Sequence, residues 1–344
     1  MWPSVEPEKI LHGKAQLVVD VRSPAEFAHA HIPGAISLPL FSNEERAVVG
    51  KIYKENGHDA AVSKGLSIAG PKAADLVDTI RRLAGDKEVL LHCWRGGMRS
   101  ASVAMLLQLA GIRGRVLKGG YKAYRRMVLG AFEKPFRIQI LGGYTGSGKT
   151  AVLRELAATG QQVIDLEGLA KHKGSAFGNL EDAAQPGTEQ FENDLFEQLQ
   201  TIDPEKTLWL EDESHSIGRV FIPEAWWRQM RQAPVLFLHI PVEARATWLV
   251  KDYTEAAPGV QAVEKALEKI RKRLGGQHYQ EALELFRNGL LKEAATKALY
   301  YYDKAYLYGL SSRAEDTITY QEEPMVDPLM ISKNIIEKYA YKFE

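Results

Sequence analysis

The only cysteine of the chain, Cys93, follows a short apolar run and precedes a pattern with helical spacing. The run 89–91 predicts a buried strand and the residues from Ala101 onward predict a helix, so a tight loop should hold the cysteine. Loop amides and the positive end of the helix dipole would surround the thiol, and Arg95 and Arg99 add positive charge. This setting predicts a nucleophilic thiolate, although a lone cysteine is more often a small buried apolar residue.

A second stretch has the composition of a phosphate-binding loop. It reads Gly-x4-Gly-Lys-Thr between an apolar strand, 137–141, and a helical pattern, 151–156, which is the context that this motif requires. We expect backbone amides to hold a diphosphate or triphosphate, Lys149 to reach the terminal phosphate and the Thr150 hydroxyl to hold Mg²⁺. The predicted phosphate-binding residues are Gly143, Thr145, Gly146, Ser147, Gly148, Lys149 and Thr150.

Acidic residues at the ends of two further strands are candidates for binding a metal or substrate beside this loop. They follow the apolar stretches 162–164 and 207–210, and they are Asp165, Glu167, Glu211 and Asp212. Each of these acids could instead cap a helix. Arg245, in the helix after a third strand at 234–240, is a candidate phosphate-binding arginine.

Two basic segments are candidates for contacting RNA. Alternating tyrosines and cations suit stacking on bases and binding of phosphates, although both segments could be packed or solvated helices. The candidate residues are Tyr121, Lys122, Arg125 and Arg126 in the first segment and Lys269, Arg271, Lys272 and Arg273 in the second. Residues 1–136 carry 20 Lys and Arg against 13 Asp and Glu, and the remaining residues carry 24 against 31. The part of the chain with Cys93 is therefore the basic one, and we expect a polyanionic substrate to bind there.

Composition restricts the class of protein. A chain of 344 residues with 45% hydrophobic and 26% charged residues is typical of a globular protein with about two domains. A single cysteine excludes an internal disulfide and a cysteine-based zinc cluster. No apolar run approaches the length of a membrane span, and the first residues lack a basic start followed by an apolar stretch, so we expect a cytoplasmic protein.

Strands alternate with helices along the chain, which predicts an α/β fold with mainly parallel sheets. We expect a first domain over 12–135, a P-loop α/β domain over 136–255 and a mainly helical C-terminal extension over 256–344. Within the first domain, 44–57 reads as an amphipathic helix that stops at Gly57. It is either a surface insertion or a segment that offers Arg46, Lys51 and Lys54 to phosphates.

The first domain resembles rhodanese domains. The resemblance rests on Asp20-Val-Arg-Ser-Pro-Ala-Glu-Phe27, on His31-Ile-Pro-Gly-Ala35, on the cysteine loop and on Leu117-Lys-Gly-Gly-Tyr121. It implies a rhodanese-like fold in which the loop cysteine carries sulfur or selenium. The spacing Cys93-x5-Arg99 also satisfies the pattern of protein tyrosine phosphatases, some of which share this fold, so a phosphatase is an alternative.

Over nearly its whole length the chain resembles the bacterial tRNA 2-selenouridine synthase family, in which a rhodanese domain is fused to a P-loop domain. The segments that carry the resemblance are 93–100, 119–125, 143–150, 165–170 with 174–178, and 211–214 with 217–218. The resemblance implies an enzyme that acts on the wobble 2-thiouridine of tRNAs of the Lys, Glu and Gln type. It further implies S-geranylation from geranyl diphosphate, and then replacement of sulfur by selenium from selenophosphate, which a selenophosphate synthetase supplies.

From this resemblance we expect Cys93 to carry a perselenide, with Arg95 and Arg99 binding the selenophosphate group. The P-loop would then hold the prenyl diphosphate, with Tyr144 and Trp209 beside the prenyl chain, although ATP or GTP is an alternative ligand. A nucleotide-gated sulfurtransferase or RNA-binding module is the remaining alternative.

Overall fold

The computed structural model describes residues 2–10, 16–172, 184–256, 264, 267–268, 270–272 and 274–339. These residues form two compact units, one of residues 1–131 with 192–197 and the other of residues 132–191 with 198–344. Across the described ranges, no helix is both long enough and apolar enough to span a bilayer. The predicted α/β class with a rhodanese-like unit followed by a P-loop unit is confirmed.

The first unit is built on a five-stranded parallel sheet in the order β1-β5-β4-β2-β3. Its strands are β1 Ser4–Val5, β2 Gln16–Asp20, β3 Ile36–Ser37, β4 Glu88–His92 and β5 Gly114–Leu117. Its helices are α1 Pro24–His29, α2 Asn43–Ala69, α3 Ala73–Ala84, α4 Met98–Leu109 and α5 Gly120–Ala131. Because β4 is central and buried along most of its length, the cysteine that follows it lies at the carboxyl edge of the sheet.

Helix α2 differs from the predicted helix in length. The expected stop at Gly57 is present as a break, with φ at 85°, but a second helical segment follows directly and runs to Ala69. Glycine adopts this backbone conformation without the strain that a Cβ would bring, so the chain changes direction and resumes the helix. The predicted insertion is therefore a two-part helix rather than a single short one.

The second unit also contains a five-stranded parallel sheet, in the order β12-β11-β6-β8-β7. Its strands are β6 Ile138–Gly143, β7 Gln162–Val163, β8 Leu208–Glu211, β11 Val235–His239 and β12 Ile318–Glu322, with a separate hairpin of β9 Ser216–Ile217 and β10 Val220–Phe221. Its helices are α6 Lys149–Ala158, α7 Leu166–Ala170, α8 Thr188–Leu199, α9 Glu224–Gln232, α10 Val242–Ala256, α11 Gly276–Arg287, α12 Leu291–Leu310 and α13 Pro328–Tyr339. Residues 192–197 of α8 count with the first unit.

The mainly helical C-terminal segment also contributes a strand to the sheet of the second unit. Strand β12 pairs in parallel with β11 from Ile318 opposite Val235 to Glu322 opposite His239. Helix α13 packs its buried Ile331 and Ile335 into the same core as α6 and the sheet. The sheet of the second unit therefore takes its edge strand from beyond residue 255, the predicted end of the P-loop domain.

Candidate active sites of the two units

The loop after β4 places Cys93 at the start of α4. The side chain is nearly buried, with 3% of the residue exposed, and its Sγ lies 3.3 Å from the Ser100 hydroxyl. Ser100 is in the first turn of α4, where the unpaired amides and the helix dipole favour negative charge. The predicted strand, loop and helix around the cysteine are present. The serine hydroxyl is a further polar partner of the sulfur that the sequence reasoning did not identify.

The start of α5 fixes the cysteine loop through its backbone. The amide of Tyr121 donates to the Cys93 carbonyl and the amide of Lys122 donates to the Trp94 carbonyl, both at 2.9 Å. Gly120 adopts a φ of +59°, and a Cβ there would lie 2.4 Å from the Cys93 carbonyl oxygen. The loop can therefore approach α5 this closely only because residue 120 is glycine.

Of the two arginines predicted to bind phosphate, Arg99 is held by an acid. Its guanidinium donates to both carboxylate oxygens of Glu26, at 2.8 and 3.3 Å, and Arg46 lies 3.9 Å from the same carboxylate. Burial raises the pKa of Glu26, but the hydrogen bonds from Arg99 and the Ser23 amide outweigh it and lower that pKa to about 2. Arg95 is exposed, so one arginine is fixed and the other is accessible.

A buried layer of charged residues lies beneath the loop. Asp20 accepts hydrogen bonds from the backbone and guanidinium of Arg22, and this guanidinium lies 3.9 Å from the centre of the Tyr121 ring. His92, directly before the cysteine, is fully buried and lies 3.8 Å from Asp20. Burial lowers the pKa of His92 to about 4 despite that carboxylate, so the imidazole is neutral near pH 7.

The structure divides the first set of predicted RNA contacts. Tyr121 is completely buried and its hydroxyl accepts a hydrogen bond from Asn193 at 2.8 Å, so its ring is not available to stack on a base. The Arg125 guanidinium is paired with Glu192 and Asn193. Lys122 and Arg126 are exposed and remain candidate phosphate contacts. The helix does pack its tyrosine, as the alternative interpretation expected.

The second set lies partly outside the described residues. Lys269 and Arg273 belong to that excluded part, so the structure does not place them. Arg271 and Lys272 are exposed, and the Arg271 guanidinium lies 3.2 Å from Glu268. These two cations therefore remain candidate RNA contacts on the surface of the second unit.

The phosphate loop joins β6 to α6, as the motif predicts. Lys149 Nζ donates to the Gly143 carbonyl at 3.0 Å, and Ser147 Oγ donates to the Tyr144 carbonyl at 2.7 Å. Gly148 has a φ of +69°, and a Cβ there would lie 2.6 Å from Val326. The loop is thus curled on itself and supported by a residue that follows β12.

Three carboxylates gather beside Lys149 and Thr150. The Thr150 hydroxyl donates to Glu211 at 2.9 Å and lies 3.3 Å from Glu167, and oxygens of Glu167, Glu211 and Glu213 all lie within 4.8 Å of one another. The Lys149 ammonium lies 3.4 Å from Glu211. Glu167 and Glu211 were predicted at this site. Glu213 was not, although its position two residues after Glu211 matches the alternation of an extended chain.

The carboxylates of this cluster raise the pKa of Lys149 and of Glu213. Burial lowers the pKa of Lys149, but Glu211, Glu213 and Glu167 outweigh it and raise that pKa, so the ammonium stays charged. Burial and the carboxylates of Glu211 and Glu167 raise the pKa of Glu213 well above its ordinary value. An anionic ligand that approaches this cluster requires further positive charge beyond the single lysine.

Three of the predicted phosphate or metal ligands have structural roles. Asp165 caps α7 and accepts from the Gly168 amide at 2.7 Å. Asp212 is paired with Arg313 at 2.7 Å. Arg245 is buried, forms a two-bond pair with Asp303, and donates to the carbonyl of Thr145 at 3.0 Å. The structure thus gives each of these side chains a partner within the protein, and their roles in binding phosphate or metal stay predictions.

Tyr306 links α12 to the phosphate loop. Its hydroxyl donates to Asp212 at 2.6 Å and accepts from the Gly143 amide at 3.2 Å. Its ring also packs against Phe237 and Tyr144. The sequence shows a run of tyrosines here without distinguishing this one, because the spacing alone does not reveal which tyrosine faces the sheet.

Comparison with known proteins agrees with both units. The family described as tRNA 2-selenouridine synthase AAA domain matches residues 136–333, and the family described as rhodanese-like domain matches residues 6–127. A tRNA 2-selenouridine synthase of Sulfurovum sp. (strain NBC37-1) is 34% identical and the match covers 94% of this chain and 93% of that protein. Those of Marinobacter nauticus and Shewanella loihica are 35% and 33% identical, covering 86% and 92% of this chain and 89% and 92% of theirs. Because the similarity extends over nearly the whole sequence, the chain belongs to the tRNA 2-selenouridine synthase family of enzymes.

Proposed function

We propose that this enzyme converts wobble 2-thiouridine of tRNA into 2-selenouridine in two steps, each performed in one unit. The observation that carries the proposal is the presence of two chemically different sites, a phosphate loop with a carboxylate cluster and a cysteine at the start of a helix. The first site suits a diphosphate leaving group and the second suits a soft nucleophile. The relatives' name supplies the tRNA product, and the geometry supports the division of labour.

In the first step the sulfur of 2-thiouridine attacks C1 of geranyl diphosphate. The S–C1 bond forms, the C1–O bond breaks, diphosphate leaves and the N3 proton of the base is lost to solvent. Lys149 and the amides of the phosphate loop bind the diphosphate, whose negative charge grows as the C1–O bond lengthens. Stabilising that charge accelerates the step more than binding the substrate alone does.

A divalent cation fits beside the phosphate loop. The hydroxyl of Thr150 and the carboxylates of Glu167, Glu211 and Glu213 offer the hard oxygen ligands that Mg²⁺ takes. When bound, the cation would supply positive charge between the diphosphate and the three carboxylates, which would otherwise repel each other. Lys149 would orient the terminal phosphate from the other side. The same loop would also accept ATP or GTP, which the experiment below distinguishes from the prenyl diphosphate.

In the second step selenium replaces the alkylated sulfur at C2. The C2–Se bond forms, the C2–S bond breaks and geranylthiol leaves, which is a better leaving group than a bare sulfur anion. We assign Cys93 as the nucleophile toward the phosphorus of the selenium donor, selenophosphate, which a selenophosphate synthetase would supply. The Sγ–P bond forms, the P–Se bond breaks and hydrogen selenide leaves to attack C2, and water then hydrolyses the phosphocysteine and restores the thiol. Arg95 is free to meet the phosphate group of selenophosphate, and Arg99 is fixed by Glu26 near the same loop.

The tRNA substrate would be recognised largely through its phosphates. Exposed Lys122 and Arg126 lie on α5, whose first turn donates hydrogen bonds to the loop that holds the cysteine, and exposed Arg271 and Lys272 lie in the second unit. Cations on a surface bind a polyanion with little sequence preference, so the wobble base itself must be selected by its thiocarbonyl. We place the enzyme in the cytoplasm with tRNAs of the Lys, Glu and Gln type.

The decisive experiment is nucleoside mass spectrometry of thiolated tRNA incubated with the full-length enzyme, geranyl diphosphate and selenophosphate. We expect selenouridine with the wild type, geranylthiouridine with Cys93→Ala and unchanged thiouridine with Lys149→Ala. Lys171→Ala, an exposed lysine of the second unit, is the matched control and should behave as the wild type.

Two results would overturn the proposal. If the wild-type enzyme leaves thiouridine unchanged, the proposed reaction is refuted. Hydrolysis of aryl phosphates that depends on Cys93 would then favour the phosphatase alternative. Selenation that requires multiple turnovers of ATP or GTP and proceeds without geranyl diphosphate would assign the phosphate loop to a nucleotide.

A further inference from the structure

An apolar groove starts at the phosphate loop and follows one face of α6. Its volume is about 300 Å³, which is at the small end of the range for ligand pockets. Thr150 lies at one end and Ala157 at the other, and Leu153 lies between them. Residues spaced by three and four share one face of a helix, so the groove runs along the helix axis and not across it.

The groove is lined mainly by apolar side chains, and Gln198 is among its few polar residues. Val163 of β7 and Leu169 of α7 face the side chains of α6, while Asp165 and Arg154 lie on the rim. Arg154 is 74% exposed and its guanidinium lies 4.0 Å from Asp165. A ligand in this groove would therefore be a hydrocarbon along most of its length, with its polar end at Thr150.

The length of the groove suits a prenyl chain. Ala157 lies seven positions after Thr150 on the helix, which corresponds to about 10 Å at 1.5 Å per residue. The main chain of a geranyl group has eight carbons and spans roughly 9 Å when it is extended with single bonds near 1.5 Å. A nucleoside would form more polar contacts than this groove offers, because Leu153, Ala157, Val163 and Leu169 supply most of its surface and Arg154, Asp165 and Gln198 are its polar residues besides Thr150.

The two aromatic residues first expected beside the prenyl chain do not line this groove. Trp209 is completely buried in the sheet, and Tyr144 packs against Phe237 and Tyr306. The only part of the phosphate loop motif that reaches the groove is Thr150. A diphosphate on the loop would thus have its attached carbon at the mouth of the groove.

We propose that this groove holds the hydrocarbon chain of the prenyl diphosphate, with C1 at Thr150 and the chain end at Ala157. The inference rests on the proposed function, since it supplies the chain-binding half of the same substrate site. The reaction is unchanged by it: the S–C1 bond forms outside the mouth and diphosphate leaves from the loop. The groove determines which chain lengths are accepted.

The test fills the far end of the groove with Ala157→Trp in the full-length enzyme. Ala157 is exposed on α6, so the helix should tolerate the change, and Ala158→Trp is a matched control because residue 158 is exposed but does not line the groove. Calorimetry would measure binding of geranyl diphosphate, dimethylallyl diphosphate and inorganic diphosphate to each protein.

We expect Ala157→Trp to weaken geranyl diphosphate about tenfold or more, because each methylene displaced from an apolar site weakens binding roughly fourfold. Binding of inorganic diphosphate and of the five-carbon dimethylallyl compound should stay within twofold of the wild type, and Ala158→Trp should change none of the three.

Equal binding of geranyl diphosphate and inorganic diphosphate by the wild type would overturn the groove assignment while leaving a phosphate site in place. An unchanged affinity for geranyl diphosphate in Ala157→Trp would also overturn it. Failure of the wild type to bind either prenyl compound, with tight binding of ATP or GTP, would instead refute the proposed first step and the groove together.

Discussion

The hydroxyl of Tyr306 lies 2.6 Å from a carboxylate oxygen of Asp212, and the same oxygen atom of the tyrosine accepts the Gly143 amide at 3.2 Å. One phenol thus connects the end of β8 to the start of the phosphate loop. Burial and the negative charge of Asp212 raise the pKa of Tyr306 well above its ordinary value, so the phenol remains a donor.

Tyr306→Phe should destabilise the second unit by about 1 to 2 kcal/mol, because it leaves a buried amide and a carboxylate without this partner. It should also weaken diphosphate binding, since Gly143 begins the loop. Urea unfolding and calorimetry would measure both effects. Tyr300→Phe, on the same helix but 57% exposed, should change neither quantity, and an equal effect of both variants would contradict the assigned link.

Glu26 fixes Arg99, so its removal should impair only the selenium step. In Glu26→Gln the guanidinium loses its charged partner, and we expect the kcat/KM for selenophosphate to fall about tenfold through misplacement of Arg99. Conversion of thiouridine to geranylthiouridine should be unaffected. Glu55→Gln, an exposed acid of α2, is the control, and an equal loss in both half-reactions would indicate general misfolding instead.

Ser100 should determine the reactivity of the cysteine. When the thiol ionises, the hydroxyl at 3.3 Å is able to turn its proton toward Sγ and stabilise the anion. Ser100→Ala should therefore slow alkylation by iodoacetamide about fivefold at pH 7, as expected from the loss of one hydrogen bond. The single cysteine makes this measurement unambiguous. Ser102→Ala, an exposed serine bonded to the Met98 carbonyl, should leave the rate unchanged.

His92 should make the first unit less stable at mildly acidic pH. Its pKa is lowered from 6.5 to about 4 in the folded chain, so between these values the unfolded chain binds more protons and stability falls as the pH falls. From pH 6.5 to 5 we expect a loss of about 1.5 kcal/mol from this residue alone. Hydrogen exchange of the slowest amides of β2 and β4 would report it.

The control for this pH effect is a pair of histidine variants. His92→Asn should remove that part of the pH dependence, even if it lowers stability at every pH, whereas the exposed His58→Asn should retain the full slope. Identical slopes in the wild type and His92→Asn would show that the imidazole does not titrate in this window.

Much of the backbone of both sites was predictable from sequence, because each site is formed by a strand, a loop and a helix that follow one another directly in the chain. The strand, loop and helix around Cys93 and around Lys149 follow from apolar spacing and glycine placement within about a dozen residues. Pairings between side chains that are distant in sequence were not predictable. Asp212 pairs with Arg313 and Arg245 pairs with Asp303, and no local pattern indicates either pair.

Distance in sequence also explains what was missed. Glu26 is not among the predicted site residues, because its pairing with Arg99 depends on how α1 and α4 are placed in the fold. Tyr121 lies in a segment of alternating tyrosines and cations, which is typical of RNA contacts. Its ring is buried against the Arg22 guanidinium, a contact between residues that are far apart in sequence. Such arrangements are set by tertiary packing, which a periodic pattern does not encode.

The edge strand β12 has a consequence for the order of events during synthesis. Val326, which follows it, contacts Gly148 so closely that the phosphate loop takes its shape against a segment translated long after the loop itself. Parallel pairings between distant segments form slowly and late. A nascent chain therefore completes the sheet that holds the Cys93 loop while its phosphate loop still lacks the segment against which it is shaped.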